Sequence, residues 1–366
     1  MNKSVKSIKS KRPNKSVPKW LYVLGIVPVV LAIAGWQSWS WWTWATSPIA
    51  TKKETAKTVQ IKIAPGTASQ EIGRQLETAG LIRSSNAWKV WSLWLSQQDK
   101  QGGFKSGTYE LSSDLSLPDI ASQIWKGKVV QTSFTIKEGW SLKEMAAYFE
   151  TQGFFSAEEF LAATREIPKD KYSWLPNDLP HLEGFLYPET YKLPSDRITP
   201  QAVINEMLYQ FEQVALPVYQ QHQSSTEMSL LEWVTLASIV EKESVVPVER
   251  PLIAGVFTNR LQKGMRLESD PTVEYGLSIK QTADKPLTIA QVRTPSPYNT
   301  YVNGGLPPGP IASPAVGSLE ATLNPDKTEY IFFVARYDGT HVFSKTLQEH
   351  VAATNAIRRQ RQSQRS

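Results

Sequence analysis

Glu241, Lys242 and Glu243 close a strongly apolar run, Leu230 to Val240, that opens on Ser229 with Glu232 three residues later. Ser-x-x-Glu at the head of such a run is a capping box and predicts a helix, with two carboxylates leaving its carboxy-terminal end. At about 100° per residue, Trp233, Leu236, Ala237, Ile239 and Val240 form a broad apolar arc, with Glu243 near one edge and Glu241 near the other. A carboxyl half-desolvated against a core keeps its proton toward neutral pH, which is what a general acid needs. Helical geometry does not choose between the two. An acid–lysine–acid run at a helix end also has a plainer reading, a surface ion pair.

Two further segments carry polar groups among rings and tight turns. Residues 295–314, PSPYNTYVNGGLPPGPIASP, follow a second predicted helix (Val248 to Leu261), a glycine C-cap at Gly264 and a turn at Asp270-Pro271. Tyr298, Asn299 and Tyr301 offer a stacking ring, an amide and hydroxyls, the combination that binds pyranose sugars; a long rigid connector has the same composition. In LEGFLYPETY, Leu182 to Tyr191, the acids Glu183 and Glu189 sit among aromatic residues, and taken alone it reads as a turn packed on the core. Other chemistries lack their residues. The chain has no cysteine, its four histidines (181, 222, 341, 350) lack zinc-ligand spacing, and no phosphate loop, dinucleotide fingerprint or Gly-x-Ser-x-Gly elbow occurs. No metal or other cofactor is expected.

These segments need a scaffold, and 366 residues with 41% hydrophobic and 20% charged predict two or three folded domains. Residues 61–82 match 134–155 at a constant offset of 73, pairing Ile63 with Ile136, Gly66 with Gly139, Glu71 with Glu144, Leu76 with Phe149 and Gly80 with Gly153. Each copy reads as a short strand, a glycine turn, and a helix ending at a second glycine. Between the copies, Trp88 to Leu95 and Leu117 to Trp125 read as helices and Thr108 to Leu111 as a strand. Residues 156–225 carry seven prolines and read as a looser stretch without a long helix. The expected fold class is α+β, in small modules, rather than a doubly wound parallel sheet.

The net charge of +6 does not indicate a nucleic-acid partner, because of where the charge lies. Residues 1–19 hold seven basic side chains and no acid, and residues 358–366 hold four arginines; the remaining body has 29 basic against 34 acidic residues. Both ends read as flexible. From Trp20 to Thr51 there is no charged residue, and tryptophans crowd positions 36, 39, 41, 42 and 44. Apolar residues of that length behind a basic tail, with interfacial rings beyond, predict a single membrane span at 20–42, amino terminus inside, kinked at Pro28. A signal peptide cut after Ala32-Ile33-Ala34 is the rival, and it would leave a raw end bearing five tryptophans.

Taken in order, FKSGTYEL, LEGFLYPETY, LASIVEKES, NRLQKGMRLESDPTVEYGL, SPYNTYVNGGLPPGPIASP and YIFFVARYDGTHVFSKTLQEH resemble the signature segments of the MltG (YceG-like) endolytic murein transglycosylases, over about residues 58–355. The resemblance implies an enzyme anchored in the bacterial cytoplasmic (inner) membrane by one span, catalytic part outside, that cuts nascent peptidoglycan glycan strands at the MurNAc–GlcNAc bond, leaves 1,6-anhydroMurNAc ends and so terminates strand elongation. It implies the span (20–42), a LysM-like α+β module (58–130) and a mixed α+β catalytic domain (131–355); the charge pattern adds a basic cytoplasmic tail (1–19), and the tryptophan-rich stalk (43–57) and the basic flexible tail (356–366) are the parts atypical of the family. Its catalytic acid falls on Glu243, the second acid of the E-K-E motif, with Glu183, Asp270, Tyr275, Asn299 and Tyr301 lining the cleft. The partners it implies are glycan strands, the membrane and, as candidates, peptidoglycan synthases. A glycan-binding anchor without activity and a muramidase-type hydrolase are the alternatives.

Overall fold

A computed structural model describes residues 19–282 and 285–365, in two compact units: one comprising the chain up to Val130 with Pro194–Asp196, the other Gln131–Leu193 with the chain from Arg197 on. The fold is mixed α+β, and its strands form three two-stranded sheets among the described residues.

The first unit runs α1 (Lys19–Thr46), β1 (Thr58–Ile63), α2 (Ser69–Thr78), α3 (Ser85–Gln98), β2 (Gly107–Ser112) and α4 (Leu117–Trp125). β1 and β2 pair antiparallel with Ile61 opposite Tyr109 and Gln60 opposite Glu110. The strand alternation turns Ile63, Tyr109 and Leu111 inward against Ile72, Leu76, Trp88, Ile120 and Ile124, and leaves Gln60 and Glu110 in solvent. The stalk expected at 43–57 is not a free linker. α1 extends to Thr46, Ala45 is fully buried, the N–H groups of Ile49 and Ala50 both donate to Ser113 O, and Arg83 Nη2 donates to Pro48 O at 2.8 Å. Unpaired backbone groups found partners there, which composition does not reveal. α1 continues through Pro28. No helix among the described residues is long and apolar enough to cross a membrane. The expected span also draws on residues 20–25, whose side chains lie outside those described, as does the basic tail up to residue 18.

The second unit runs β3 (Gln131–Thr135), α5 (Leu142–Thr151), α6 (Ala157–Ala163), β4 (Thr190–Pro194), α7 (Pro200–His222), α8 (Leu230–Glu243), α9 (Arg250–Gln262), α10 (Asp270–Leu277), α11 (Ile289–Val292), α12 (Val316–Leu323), β5 (Phe332–Ala335), β6 (His341–Ser344) and α13 (Leu347–Arg365). The capping box at Ser229 and Glu232 is formed, and α8 is central: every residue from Trp233 to Glu241 is buried, with α9, α10 and α12 packed on it and Tyr219 of α7 against Trp233. A helix apolar on all faces belongs inside, and its few polar groups are bonded. Ser238 Oγ donates to Thr235 O and accepts from the Ile311 N–H, and Trp233 Nε1 donates to Leu319 O.

Three expectations are corrected. The looser stretch contains α7, 23 residues long, which Pro200 opens and Pro217 interrupts without ending it. A proline is free of cost in a first helical turn, and burial of Val203, Met207, Leu208 and Phe211 offsets the bond lost at the second. Asp270-Pro271 is not a turn but the first two residues of α10, by the same preference. Residues 356–365 are not an irregular tail; they continue α13, and Arg361 stacks over the Tyr337 ring at 3.7 Å.

Gly184 in LEGF shows how tightly the second unit closes. Its φ is +82°, and an added Cβ would stand 2.4 Å from Pro310 Cβ and 2.9 Å from Val234 Cγ1. Gly184→Ala is therefore expected to cost about 3 kcal/mol or more, by backbone strain and overpacking together, and to lower the melting temperature of the second unit measured by calorimetry.

Candidate active site

The two carboxylates at the end of α8 meet different surroundings. Glu241 is locked: Oε1 pairs with Arg250 at 3.2 Å, and Oε2 accepts from the Ala315 N–H at 3.1 Å and Ser318 Oγ at 2.6 Å. It joins α9 and α12 to α8 and has no free acceptor pointing outward to work with. Glu243 is half-buried and has one protein partner among the described residues, Ser269 Oγ, which donates to Oε1 at 2.6 Å. Burial pushes its pKa up to about 7; the Ser269 hydrogen bond opposes this, Asp270 and Glu274 add to it, and Arg260 opposes it again. Near neutral pH this carboxyl is poised to give or take a proton.

Ser269 is held as firmly as the acid it touches. Its N–H donates to Thr300 Oγ1 at 3.0 Å, its carbonyl accepts from Thr272 Oγ1 at 2.6 Å, and the two threonine hydroxyls bond to each other at 2.8 Å. The preceding Glu268 has φ +54°, in a left-handed conformation that non-glycine residues hold only when the surroundings impose it. Behind the turn, Arg260 Nη1 donates to Arg266 O, Leu267 O and Glu268 Oε2. Sequence reasoning missed Ser269, Thr300 and Arg260. Ser269 precedes α10 where a serine usually caps the helix, but it makes no cap bond and gives its hydroxyl to Glu243 instead.

The expected cleft residues divide. Asp270 and Tyr301 come to the same place as Glu243: Tyr301 Oη donates to Asp270 Oδ1 at 2.6 Å, Gln281 Nε2 donates to Oδ2 at 3.3 Å, and burial with Asp270 alongside raises the Tyr301 phenol well above its usual range. Glu183 does not line an open cleft. It is 2% exposed, accepts from the Leu142 N–H at the start of α5 and from Tyr275 Oη at 3.0 Å, and burial lifts its pKa to about 8. Tyr275 bonds inward to Glu183 and lies against the Tyr298 ring, centroids 4.7 Å apart. Asn299 is fully buried; its amide donates to Val292 O and Thr294 O and its Oδ1 accepts from the Tyr301 N–H. It braces the loop that carries Tyr301. Among the described residues no group of three or more His, Asp or Glu side chains is arranged to hold a metal ion.

Ser269→Ala should separate the acid from its support. Losing a bond that favours the carboxylate raises the Glu243 pKa further, so the alkaline limb of any pH–rate profile moves up while the maximal rate drops about tenfold. The measurement is kcat/KM against pH for the variant and the parent chain.

Fold and site together define a mixed α+β protein in which a half-buried, protonatable Glu243 lies beside Asp270 and Tyr301. The YceG-like family profile matches residues 61–356, and the chain belongs to that family. It is 32% identical over 312 residues to the endolytic murein transglycosylase of Bacillus subtilis (strain 168), across 82% of this chain and 84% of that one. It is 32% identical over 322 residues to the endolytic murein transglycosylase of Streptococcus pneumoniae serotype 2 (strain D39), across 80% of this chain but only 57% of that longer relative. The crystal structure of a YceG-like protein from Listeria monocytogenes superposes with a TM-score of 0.55 at 32% identity, covering 82% of this chain and 100% of that chain.

Proposed function

We propose that this chain is an endolytic murein transglycosylase that cleaves the β-1,4 bond between N-acetylmuramic acid and N-acetylglucosamine in peptidoglycan, with Glu243 as its single acid–base group. The observation that carries the reading is the half-buried Glu243 carboxyl, raised to about 7 and bonded, among the described residues, to Ser269 alone, in a chain of this family. Protonated, it gives its proton to the glycosidic oxygen as the C1–O bond breaks and oxocarbenium character develops. The carboxylate so formed takes the proton of the muramoyl C6 hydroxyl, whose oxygen bonds to C1 and closes the 1,6-anhydro ring. Nucleophile and centre belong to one sugar, which supplies the effective concentration of an intramolecular attack, and no water is consumed. Asp270 and Tyr301 contact the sugar beside the acid, while Glu183, Tyr275 and Asn299 keep the walls in place.

The rest of the reading concerns place. Residues 58–130 act as a LysM-like glycan-binding module and 131–355 as the catalytic domain. α1 anchors the chain in the cytoplasmic membrane through residues 20–42, with both units outside. Support for the anchor comes from the side chains of Ile26, Val29, Val30, Leu31 and Ile33, all at least half exposed, on a helix with no charged residue after Lys19. Peptidoglycan synthases, as suppliers of nascent strands, are the expected neighbours.

The muramidase alternative requires a second carboxylate to activate water. Both oxygens of Asp270 are already engaged by Tyr301 and Gln281, which favours the one-acid route. Mass spectrometry of digested sacculi decides between them. Anhydro ends, lighter by one water than reducing ends, are expected; reducing ends alone would replace transglycosylation by hydrolysis.

A further inference from the structure

α3 has two apolar faces where one would serve the fold. Its inner face places Ala87, Trp88 and Ser92 in the core of the first unit. On the outside, Val90 is 53%, Leu93 58% and Trp94 46% exposed, a stripe at the i, i+3, i+4 spacing of a single helix face. Lys89 is the one charged residue of the helix. A second apolar face beside polar surroundings marks a docking surface.

What covers it is indicated by what it adjoins. The last turns of α1 lie against α3: the Trp42 and Trp91 rings are 6.4 Å apart, Trp91 and Trp94 are 4.7 Å apart, and Ala45 is fully buried. Between the helices an open groove of about 700 Å³ has Trp39, Trp41, Trp42 and Val90 among its walls. The exposed apolar side chains of α1, Ile26 to Ile33, followed by Trp36 and Trp39, therefore continue across the groove onto Val90, Leu93 and Trp94. Length sets the depth. The 28 residues of α1 extend about 42 Å, against about 30 Å of hydrocarbon, so with the basic end inside, the segment from Trp39 onward stands in the outer headgroup layer. Indole rings prefer that layer. Because α3 is packed on that segment, it is held at the same level.

We propose that the outer face of α3 rests in the outer headgroup layer of the membrane that α1 spans, so that the first unit lies against the lipid surface. This rests on the anchor reading above and goes beyond it, since a tether alone would leave α3 in water. Val90, Leu93 and Trp94 enter the acyl boundary, and Lys89 meets lipid phosphate.

The absence of cysteine lets one introduced thiol carry a probe without competition. The full chain is reconstituted in vesicles of phosphatidylethanolamine and phosphatidylglycerol with an environment-sensitive fluorophore on Leu93→Cys, Ile33→Cys or Gln60→Cys, the last on the solvent face of the β1–β2 sheet. Nitroxide lipids labelled at shallow or deep positions serve as quenchers. The expected result is a blue-shifted Leu93 probe quenched most by the shallow nitroxide, an Ile33 probe quenched most by the deep one, and a Gln60 probe quenched by neither. Adding Val90→Glu and Trp94→Glu should return the Leu93 probe to water without changing Ile33. A water-exposed Leu93 probe with Ile33 still quenched overturns the docking and spares the anchor. An unquenched Ile33 overturns the anchor, and the docking with it. A blue-shifted Leu93 probe that no lipid quenches assigns the face to a second copy of the chain and overturns the proposal.

Discussion

Glu243→Gln is expected to lower glycan cleavage by about a thousandfold while the protein stays folded, because general acid–base catalysis by one positioned group contributes about 10²–10⁴-fold. Glutamine has the same shape and its Oε1 still accepts the 2.6 Å bond from Ser269, but it has no proton to give to the glycosidic oxygen. The thermal midpoint should hold or rise, since a desolvated acid flanked by Asp270 and Glu274 is replaced by a neutral amide. Release of soluble muropeptides from sacculi, with a melting curve on the same preparation, checks both. Undiminished cleavage by a folded variant would remove Glu243 from the mechanism and place the acid on another residue; absence of cleavage by the folded parent chain is the result that would leave the glycan-binding anchor as the better account.

The pH dependence follows with a definite sign. The acid works protonated, so kcat/KM should be flat below pH 7 as far as this group is concerned and fall about tenfold per unit above it, with the pKa of about 7. The same shift acts on stability. A carboxyl raised in the folded state binds its proton more tightly there than in the unfolded chain, so the stability it confers is complete below the ordinary value of 4.5 and is lost as pH rises through about 7. Glu243→Gln should lack both dependences.

What the sequence could say about this site depended on how far along the chain the answer lay. Local signals were legible. α4 runs over Leu117–Trp125 as expected, the Ser229–Glu232 box opens α8, and the repeat reproduces itself in backbone detail, with Gly66 at φ +78° and Gly139 at +71°, then Gly80 at +69° and Gly153 at +72°. Caps and positive-φ turns are decided by neighbouring residues. The choice between Glu241 and Glu243 was not legible, since it is made by Arg250, Ala315 and Ser318 closing on the one and Ser269 meeting the other. Only the family resemblance separated them in advance. Glu183, whose segment taken alone reads as a turn packed on the core, and Asn299 were placed in the cleft by the resemblance, and their local sequence could not correct it. A polar side chain in an aromatic segment looks the same whether it faces a ligand or completes a buried network, and the partners that decide, Leu142 and Val292, lie in other elements. Pro217 inside α7 was misread because the burial that offsets its cost is tertiary.

Glu183→Ala is expected to destabilise the second unit by about 2–4 kcal/mol, whereas Glu183→Gln should be nearly silent at neutral pH. Alanine leaves the Leu142 N–H and the Tyr275 hydroxyl buried without an acceptor, and it frees α10, whose first residue is Asp270. Cleavage should then fall about tenfold by misplacement alone. Glutamine keeps the acceptor and, like the protonated acid that a pKa of about 8 implies, carries no charge. The two should part on pH. Raised from 4.5 to about 8, Glu183 contributes stability that is whole below pH 4.5 and is lost by pH 8, roughly 5 kcal/mol over the interval at about 1.4 kcal/mol per unit. Chemical denaturation from pH 5 to 9 should therefore show the parent chain weakening relative to Glu183→Gln, with the difference levelling off above pH 8. If Glu183→Gln instead lost cleavage as completely as Glu243→Gln with its stability unchanged, the carboxyl would be acting on the sugar, and its burial against Leu142 and Tyr275 would have to open when the strand binds.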